Sequence, residues 1–162
     1  MTVLGITSKG EKKLLGFTQT TTENQTACRE LLQSLVDRGL QIEGGLLFIL
    51  DGGKGLRKAV SLVFGRKTPV QRCQWHKREN VISHLPPSRR DGMRLRILRA
   101  QELPDYEKAK AALLKIHGQL LLQNESAAAS LLEGLEETLT LQKLDLFREL
   151  GRSFTTTNVI ES

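Results

Sequence analysis

The sequence predicts an α/β chain whose first half builds a mixed sheet and whose second half is a helical block. Three observations carry this reading. Residues 46–50 form a continuous apolar run that ends at Asp51-Gly52-Gly53, the pattern of a central buried strand. Strand-like and helical stretches alternate as far as Cys73. From Trp75 onward the apolar residues recur only at helical spacing.

The elements follow in order. Residues 2–7 carry Val3, Leu4 and Ile6 and meet the turn residues Ser8-Lys9-Gly10, so they read as a strand. Residues 13–20 read as its antiparallel return. Thr20-Thr21-Thr22 can then cap a helix in which Ala27, Leu31, Leu32, Leu35 and Val36 repeat, with Gly39 as its stop. Cys28 falls on this helix as a small core or half-buried residue. After the strand at 46–50, Leu56, Ala59, Val60 and Val63 mark a second helix closed near Gly65. Residues 69–73 make the next strand, with Pro69 at its start, where the missing N–H is tolerated. Helical patterns then cover residues 77–84, 89–101, 106–123, 127–139 and 141–150. Pro86-Pro87, Pro104 and Asn124 punctuate them.

A chain of 162 residues suits one domain, or one domain with an insertion. No signal peptide is recognisable, and the longest apolar run is far below the roughly 20 residues of a spanning helix. Two cysteines, Cys28 and Cys73, make no disulfide framework, so a reducing cytoplasm is the default. The net charge is +6. It reads either as a soluble basic surface or as the footprint of a polyanion, of which DNA is the commonest. The charge is uneven. Residues 66–99 hold Arg66, Lys67, Arg72, Lys77, Arg78, Arg89, Arg90, Arg94, Arg96 and Arg99 against Glu79 and Asp91 only, whereas residues 102–149 are acid-rich.

Asp51 stands at the carboxyl end of the strand, where α/β sheets place ligand groups, and the two glycines after it leave space beside the carboxylate. It reads equally as a cap of the next helix. Glu161, in Asn158-x-x-Glu161, fits a capping box as well as a functional acid. Cys73-x-x-His76 has metal-ligand spacing, but structural zinc takes about four ligands and His84 and His117 supply no second pair. A core Cys beside a surface His is the plainer reading. Trp75 could stack on a base or simply pack. Lys54 is followed by Gly55 rather than Ser or Thr, so there is no Walker loop, and no Gly-x-Ser-x-Gly elbow occurs.

The order of these residues is more informative than any one of them. Asp51-Gly52, Gly55-Leu56, Ala59 and Phe64 are followed by Gln71-x-Cys73-x-x-His76-Lys77-x-x-x-Asn80, and then by Thr156-Thr157-Asn158-x-x-Glu161. Together with Leu15-Gly16-Phe17 and Leu35-x-x-Arg38-Gly39-Leu40, this series resembles the mutator-type family of bacterial insertion-sequence transposases over nearly the whole chain.

The resemblance implies a ribonuclease-H-like mixed sheet with a helical insertion. Residues 1–76 would be a partial core, 77–154 the insertion and 155–162 the start of the final core helix. It implies an Asp-Asp-Glu catalytic set for DNA transposition by phosphodiester cleavage and strand transfer. Asp51 matches the second aspartate, Glu161 the glutamate, and Cys73 with His76 the family's supporting motif. The implied cofactor is a divalent metal held by Asp51 and Glu161, magnesium with manganese as substitute. Arg66, Lys67, Arg72, Lys77, Arg78, Arg89 and Arg90 are the expected DNA contacts. The implied partners are DNA ends and target, with no membrane, and intact relatives that oligomerise on DNA in the bacterial cytoplasm. The family's first aspartate belongs on a strand before the hairpin, and residues 2–10 hold no acid. The expectation is therefore a chain truncated at both ends and inactive alone. A non-catalytic DNA-binding remnant and an unrelated nuclease of the same fold stay open beside it.

Overall fold

The structure, a computed structural model, describes residues 1–18 and 25–155. β1 (Thr2–Ile6) and β2 (Lys12–Phe17) form the expected antiparallel hairpin. Its turn is closed by Gly10 N–H donating to the Thr7 carbonyl at 2.8 Å and Thr7 N–H donating to Glu11 at 3.0 Å. The register shifts between Val3 and Leu4, leaving Leu15 without a facing residue, and Arg38 Nη1 donates to the Leu15 carbonyl at 2.9 Å. α1 (Gln25–Asp37) buries Cys28, Leu32 and Leu35. It ends where the N–H groups of Gly39 and Leu40 donate to Val36 and Leu35, both at 2.9 Å, the paired bonds of a Schellman stop. The threonine cap expected at residues 20–22 lies outside the described residues.

β3 (Phe48–Leu50) and β4 (Val70–Arg72) pair in parallel, with α2 (Lys54–Phe64) as the crossover. This pairing departs from the expected single mixed sheet. Among the described residues there are two separate two-stranded sheets, and β3 has one strand partner rather than two. The apolar run at 46–50 is strand only in its last three residues. Pro69 has no N–H to extend the ladder backward, and beyond Arg72 the chain turns into a helix. The two sheets instead share a hydrophobic layer. Leu32, Leu35, Leu50, Ala59, Val60 and Val70 are buried together, with Val3, Leu15, Phe48 and Phe64 packed against them.

The rest is helical, as the sequence predicts: α3 (Gln74–Ser83), α4 (Pro87–Gln101), α5 (Tyr106–Leu121) and α6 (Glu125–Leu132), then three short helices. Pro87 opens α4. The side chains of Asp105 and Asn124 cap α5 and α6 by accepting from Lys108 and Ala127 N–H, both at 2.8 Å. A second core of Val81, Ile97, Leu113, Leu120, Leu131 and Leu139 lies among these helices. The helices expected at 127–139 and 141–150 are instead broken. Gly134 at φ +64° separates α6 from α7 (Leu135–Thr138). Leu139 at φ −112° separates α7 from α8 (Thr140–Lys143). Asp145 at φ +59° precedes α9 (Phe147–Phe154).

These breaks dock the helical block onto β4 and α3. The Thr138 carbonyl, freed from the helical ladder, accepts from Gln71 Nε2 at 2.8 Å and Gln74 Nε2 at 3.1 Å. Leu141 N–H donates to Gln71 Oε1 at 2.9 Å, and Thr140 Oγ1 donates to the Val70 carbonyl at 2.6 Å. Gln101 Nε2 reaches the Gln74 carbonyl at 3.4 Å, and Gln142 Nε2 reaches that of Gln101 at 2.9 Å. All four glutamines are buried. Each buried group left unpaired costs about 1–3 kcal/mol. Gln71→Ala is therefore expected to destabilise the chain by about 2–4 kcal/mol in urea unfolding, because it orphans Leu141 N–H and halves the pairing of Thr138. Gln33→Ala, which breaks an exposed bond to Asp37, should stay within about 0.5 kcal/mol. Equal effects would refute the clasp.

Candidate functional site

Asp51 follows the last residue of β3, and its carboxylate is exposed. Its Oδ1 accepts from Gly53 N–H at 3.2 Å, which turns the chain toward α2. The residue at the N-cap of α2 is Gly53, with no side-chain cap. Gly52 sits at φ +114°, and a Cβ there would lie 2.7 Å from Arg72 Nε. Glycine is required at that corner on both counts.

β4 delivers Cys73 to the same end of the parallel pair. Cys73 N–H donates to the Leu50 carbonyl at 2.7 Å, and the buried Sγ lies 3.1 Å from His76 Nδ1. The half-buried His76 ring meets Trp75 edge-on with centroids 4.8 Å apart. The next amide, Gln74 N–H, donates to the Thr155 carbonyl at 2.7 Å. Asp51, Cys73 and His76 are thus brought together, and Thr155 returns to them from the far end of the helical block. Glu161 lies outside the described residues, so its expected approach to Asp51 does too. Among the described residues, no three His, Cys, Asp or Glu side chains gather in a way that could hold a metal ion.

The basic stretch does not form one outward face. Arg72 and Lys77 point inward, toward the break between α6 and α7. Lys77 is 1% exposed. Its Nζ donates to the Glu133 carbonyl and lies 3.7 Å from Glu133 Oε2. Arg72 Nη1 and Nη2 reach the Glu133 carbonyl and Oε2, each at 3.3 Å. The Arg72 guanidinium also fills the space beside Gly134, where a Cβ would lie 2.5 Å from Nη1. Burial and the neighbouring Arg72 charge lower the Lys77 pKa from 10.5 to about 8. Burial alone would raise the Glu133 carboxyl, but the Arg72 and Lys77 charges outweigh it and hold Glu133 below its ordinary value. Arg78 donates to Gln101 Oε1 at 3.0 Å, and its own burial lowers its pKa. Of the other expected DNA contacts, Arg66, Lys67 and Arg89 are exposed, while Arg90 Nε donates to the Leu85 carbonyl at 2.9 Å.

A cavity of about 790 Å³ opens beside Asp51, between α2 and the α5–α7 side of the helical block. Lys54, Arg57, Lys58, Arg66, Arg72 and Lys110 line it, together with Glu133, Glu136 and Glu137. The reading of the basic stretch missed Lys54, Arg57 and Lys58. Their i, i+3, i+4 spacing on one face of α2 was the available signal. Lys110 carried no comparable mark.

The family model described as "Transposase, Mutator family" matches residues 1–162. The chain is 30% identical over 162 residues to the transposase for insertion sequence element IS6120 of Mycolicibacterium smegmatis, covering all of this chain and 49% of that protein. It is 28% identical over 162 residues to the transposase for element IST2 of Acidithiobacillus ferrooxidans, covering all of this chain and 53% of the relative. It is 29% identical over 136 residues to the transposase for element IS256 in transposon Tn4001 of Staphylococcus aureus, covering 83% of this chain and 34% of the relative. The chain thus spans about half the length of the first two relatives.

Lys77 gives the site a pH signature. Its pKa is about 8 when folded and 10.5 by its ordinary value, so between these limits the unfolded chain holds the extra proton. Stability from this group therefore rises with pH across that window. At 1.36 kcal/mol per unit, the stability of the parent relative to Lys77→Met should increase by about 3 kcal/mol from pH 8 to 10.5. Denaturant midpoints of the two proteins measured in parallel test this. A difference that stays flat across the window would mean that Lys77 keeps its ordinary pKa.

Proposed function

The chain belongs to the Mutator family of transposases, and from that membership we propose that it forms part of the catalytic domain of an enzyme that moves DNA by cutting and joining phosphodiester bonds. The observation that carries the proposal is a convergence. Leu50, the residue before Asp51, accepts from Cys73, and the next amide binds Thr155, six residues before Glu161. Two hydrogen bonds on neighbouring residues thus tie the aspartate's strand and Thr155 to the start of α3.

Asp51 and Glu161 would hold a divalent cation, magnesium or manganese. Asp51 fits as a hard, exposed oxygen donor at a strand end. Such a cation supplies charge neutralisation at the scissile phosphate and activation of the attacking oxygen. The chain's own residues fix where that happens. Gly53 N–H orients the Asp51 carboxylate. Arg72 packs against Gly52 and holds the corner in place. Cys73 N–H holds the Leu50 carbonyl just before it, and Cys73 Sγ contacts His76.

The ribonuclease-H-like sheet belongs to the same proposal. An antiparallel pair and a parallel pair lie on one hydrophobic layer without being hydrogen-bonded to each other. A strand carrying the first aspartate, seated between them, would join them into one mixed sheet. Residues 77–154 are then the helical insertion, and the DNA ends and target are the substrates.

In the intact transposase, Asp51→Asn should lower metal-dependent cleavage of DNA by about 10³-fold or more. DNA affinity should stay within about 2-fold, since a single neutral-for-acid exchange leaves the phosphate contacts in place. A variant that still cut at the parent rate would sink the assignment. The 162-residue chain, incubated alone with magnesium or manganese, is expected to leave supercoiled plasmid uncut. Nicking that disappears in Asp51→Ala would overturn that expectation.

A further inference from the structure

We propose that the cavity beside Asp51 is a groove for an unpaired stretch of DNA, with its phosphates on the cations of α2 and its bases on the facing leucines. The inference rests on the DNA-acting reading above and adds the strand form that the site receives.

The cavity, at about 790 Å³, lies within the usual size of a ligand site. Its lining includes Leu50 and Gly52, the residues on either side of Asp51, so the cavity opens next to the corner that carries Asp51. The acids in the lining are already engaged. Glu137 pairs with Arg57 at 2.6 Å, Glu136 with Lys110 at 2.6 Å, and Glu133 with Arg72 at 3.3 Å. Three cations are left over. Among the described residues Lys58 and Arg66 have no ion pair, and Lys54 is 90% exposed with a loose 3.6 Å approach to Glu133. At the floor, Arg72 Nε is buried with no acceptor among the described residues. A surplus of donors with no internal anion is the chemistry of a phosphate site.

The opposite wall decides between strand forms. Leu114 of α5 and Leu132 of α6 line the cavity and are 42% and 49% exposed. The outside of a duplex offers phosphates and sugars but keeps its base faces stacked, so it gives these leucines nothing to cover. An unpaired strand presents phosphates on one side and base faces on the other, matching a groove with one cationic and one apolar wall. The basic face of α4 offers no such pairing. Arg94 is held by Glu79 and Asp91, and Arg96 by Gln119.

The test is binding of the full chain to a labelled 12-nucleotide strand and to its duplex, by fluorescence anisotropy between 50 and 200 mM salt. The single strand should bind at least 5-fold more tightly. Lys54→Glu with Lys58→Glu should weaken it 10-fold or more and reduce the salt slope by about 1.4, since each of the two lost phosphate contacts removes about 0.7 for single strands. Leu114→Asn with Leu132→Asn should weaken the single strand 3-fold or more and leave the slope unchanged, an effect that charge alone cannot produce. Arg96→Glu with Arg99→Glu, the same charge change on α4, should stay within 2-fold. All these side chains are at least partly exposed, and a matching melting temperature checks that each variant folds. DNA binding that ignores both cavity pairs, or a duplex preference with silent leucines, overturns the groove and leaves the DNA reading standing. Displacement of the strand by an acidic peptide at equal concentration also overturns it. No DNA binding at 50 mM salt removes the functional reading and the groove together.

Discussion

Two main-chain carbonyls, those of Glu133 and Thr138, set the arrangement of the rest. Each sits where a helix breaks, so neither has the N–H four residues on that a continuous helix would supply. Thr138 is buried, and the Glu133 carbonyl faces the buried ends of Arg72 and Lys77, so both are paired. The donors come from one short stretch of the chain: Arg72 and Lys77 for Glu133, Gln71 and Gln74 for Thr138. The junction of β4 with α3 is therefore shared by the two hydrophobic cores. It closes the α/β layer on one side and satisfies the helical block on the other.

This constraint redistributes the charge. Two cations from the basic stretch are drawn inward by a carbonyl that no other group reaches. They bring the Glu133 carboxylate with them, because two buried charges of one sign need an opposite charge nearby. With Arg72 and Lys77 committed to the interior, the surplus positive charge beside Asp51 comes from α2 and Arg66. The side chain that clasps the helical block also packs against the Asp51-Gly52 corner. Fold stability and the position of the candidate carboxylate thus depend on the same guanidinium.

Local chemistry made much of this legible in the sequence. The hairpin, the crossover from β3 through α2 to β4, and helices α3 to α6 follow from the period of apolar residues and from stops such as Gly39, Gly65 and Pro86-Pro87. Asp51 at a strand end follows from the apolar run before it. Cys73 and His76 meet because three residues across a helix start bring side chains to one side. The breaks near Gly134, Leu139 and Asp145 were hidden, since the apolar period runs through them almost undisturbed.

The sequence by itself determined the hairpin, the β3–α2–β4 crossover and the long helices, and which residues carry carboxylate, thiol or cation, because those depend on neighbours a few positions away. Only the tertiary structure decided which way Arg72 and Lys77 point, that among the described residues β3 pairs with β4 alone, and that Lys54, Lys58 and Arg66 line a cavity with leucines. These depend on which buried polar group lacks a partner and which surfaces meet. Both are properties of residues some 60 positions apart, such as Arg72 and Glu133, and no local pattern records them.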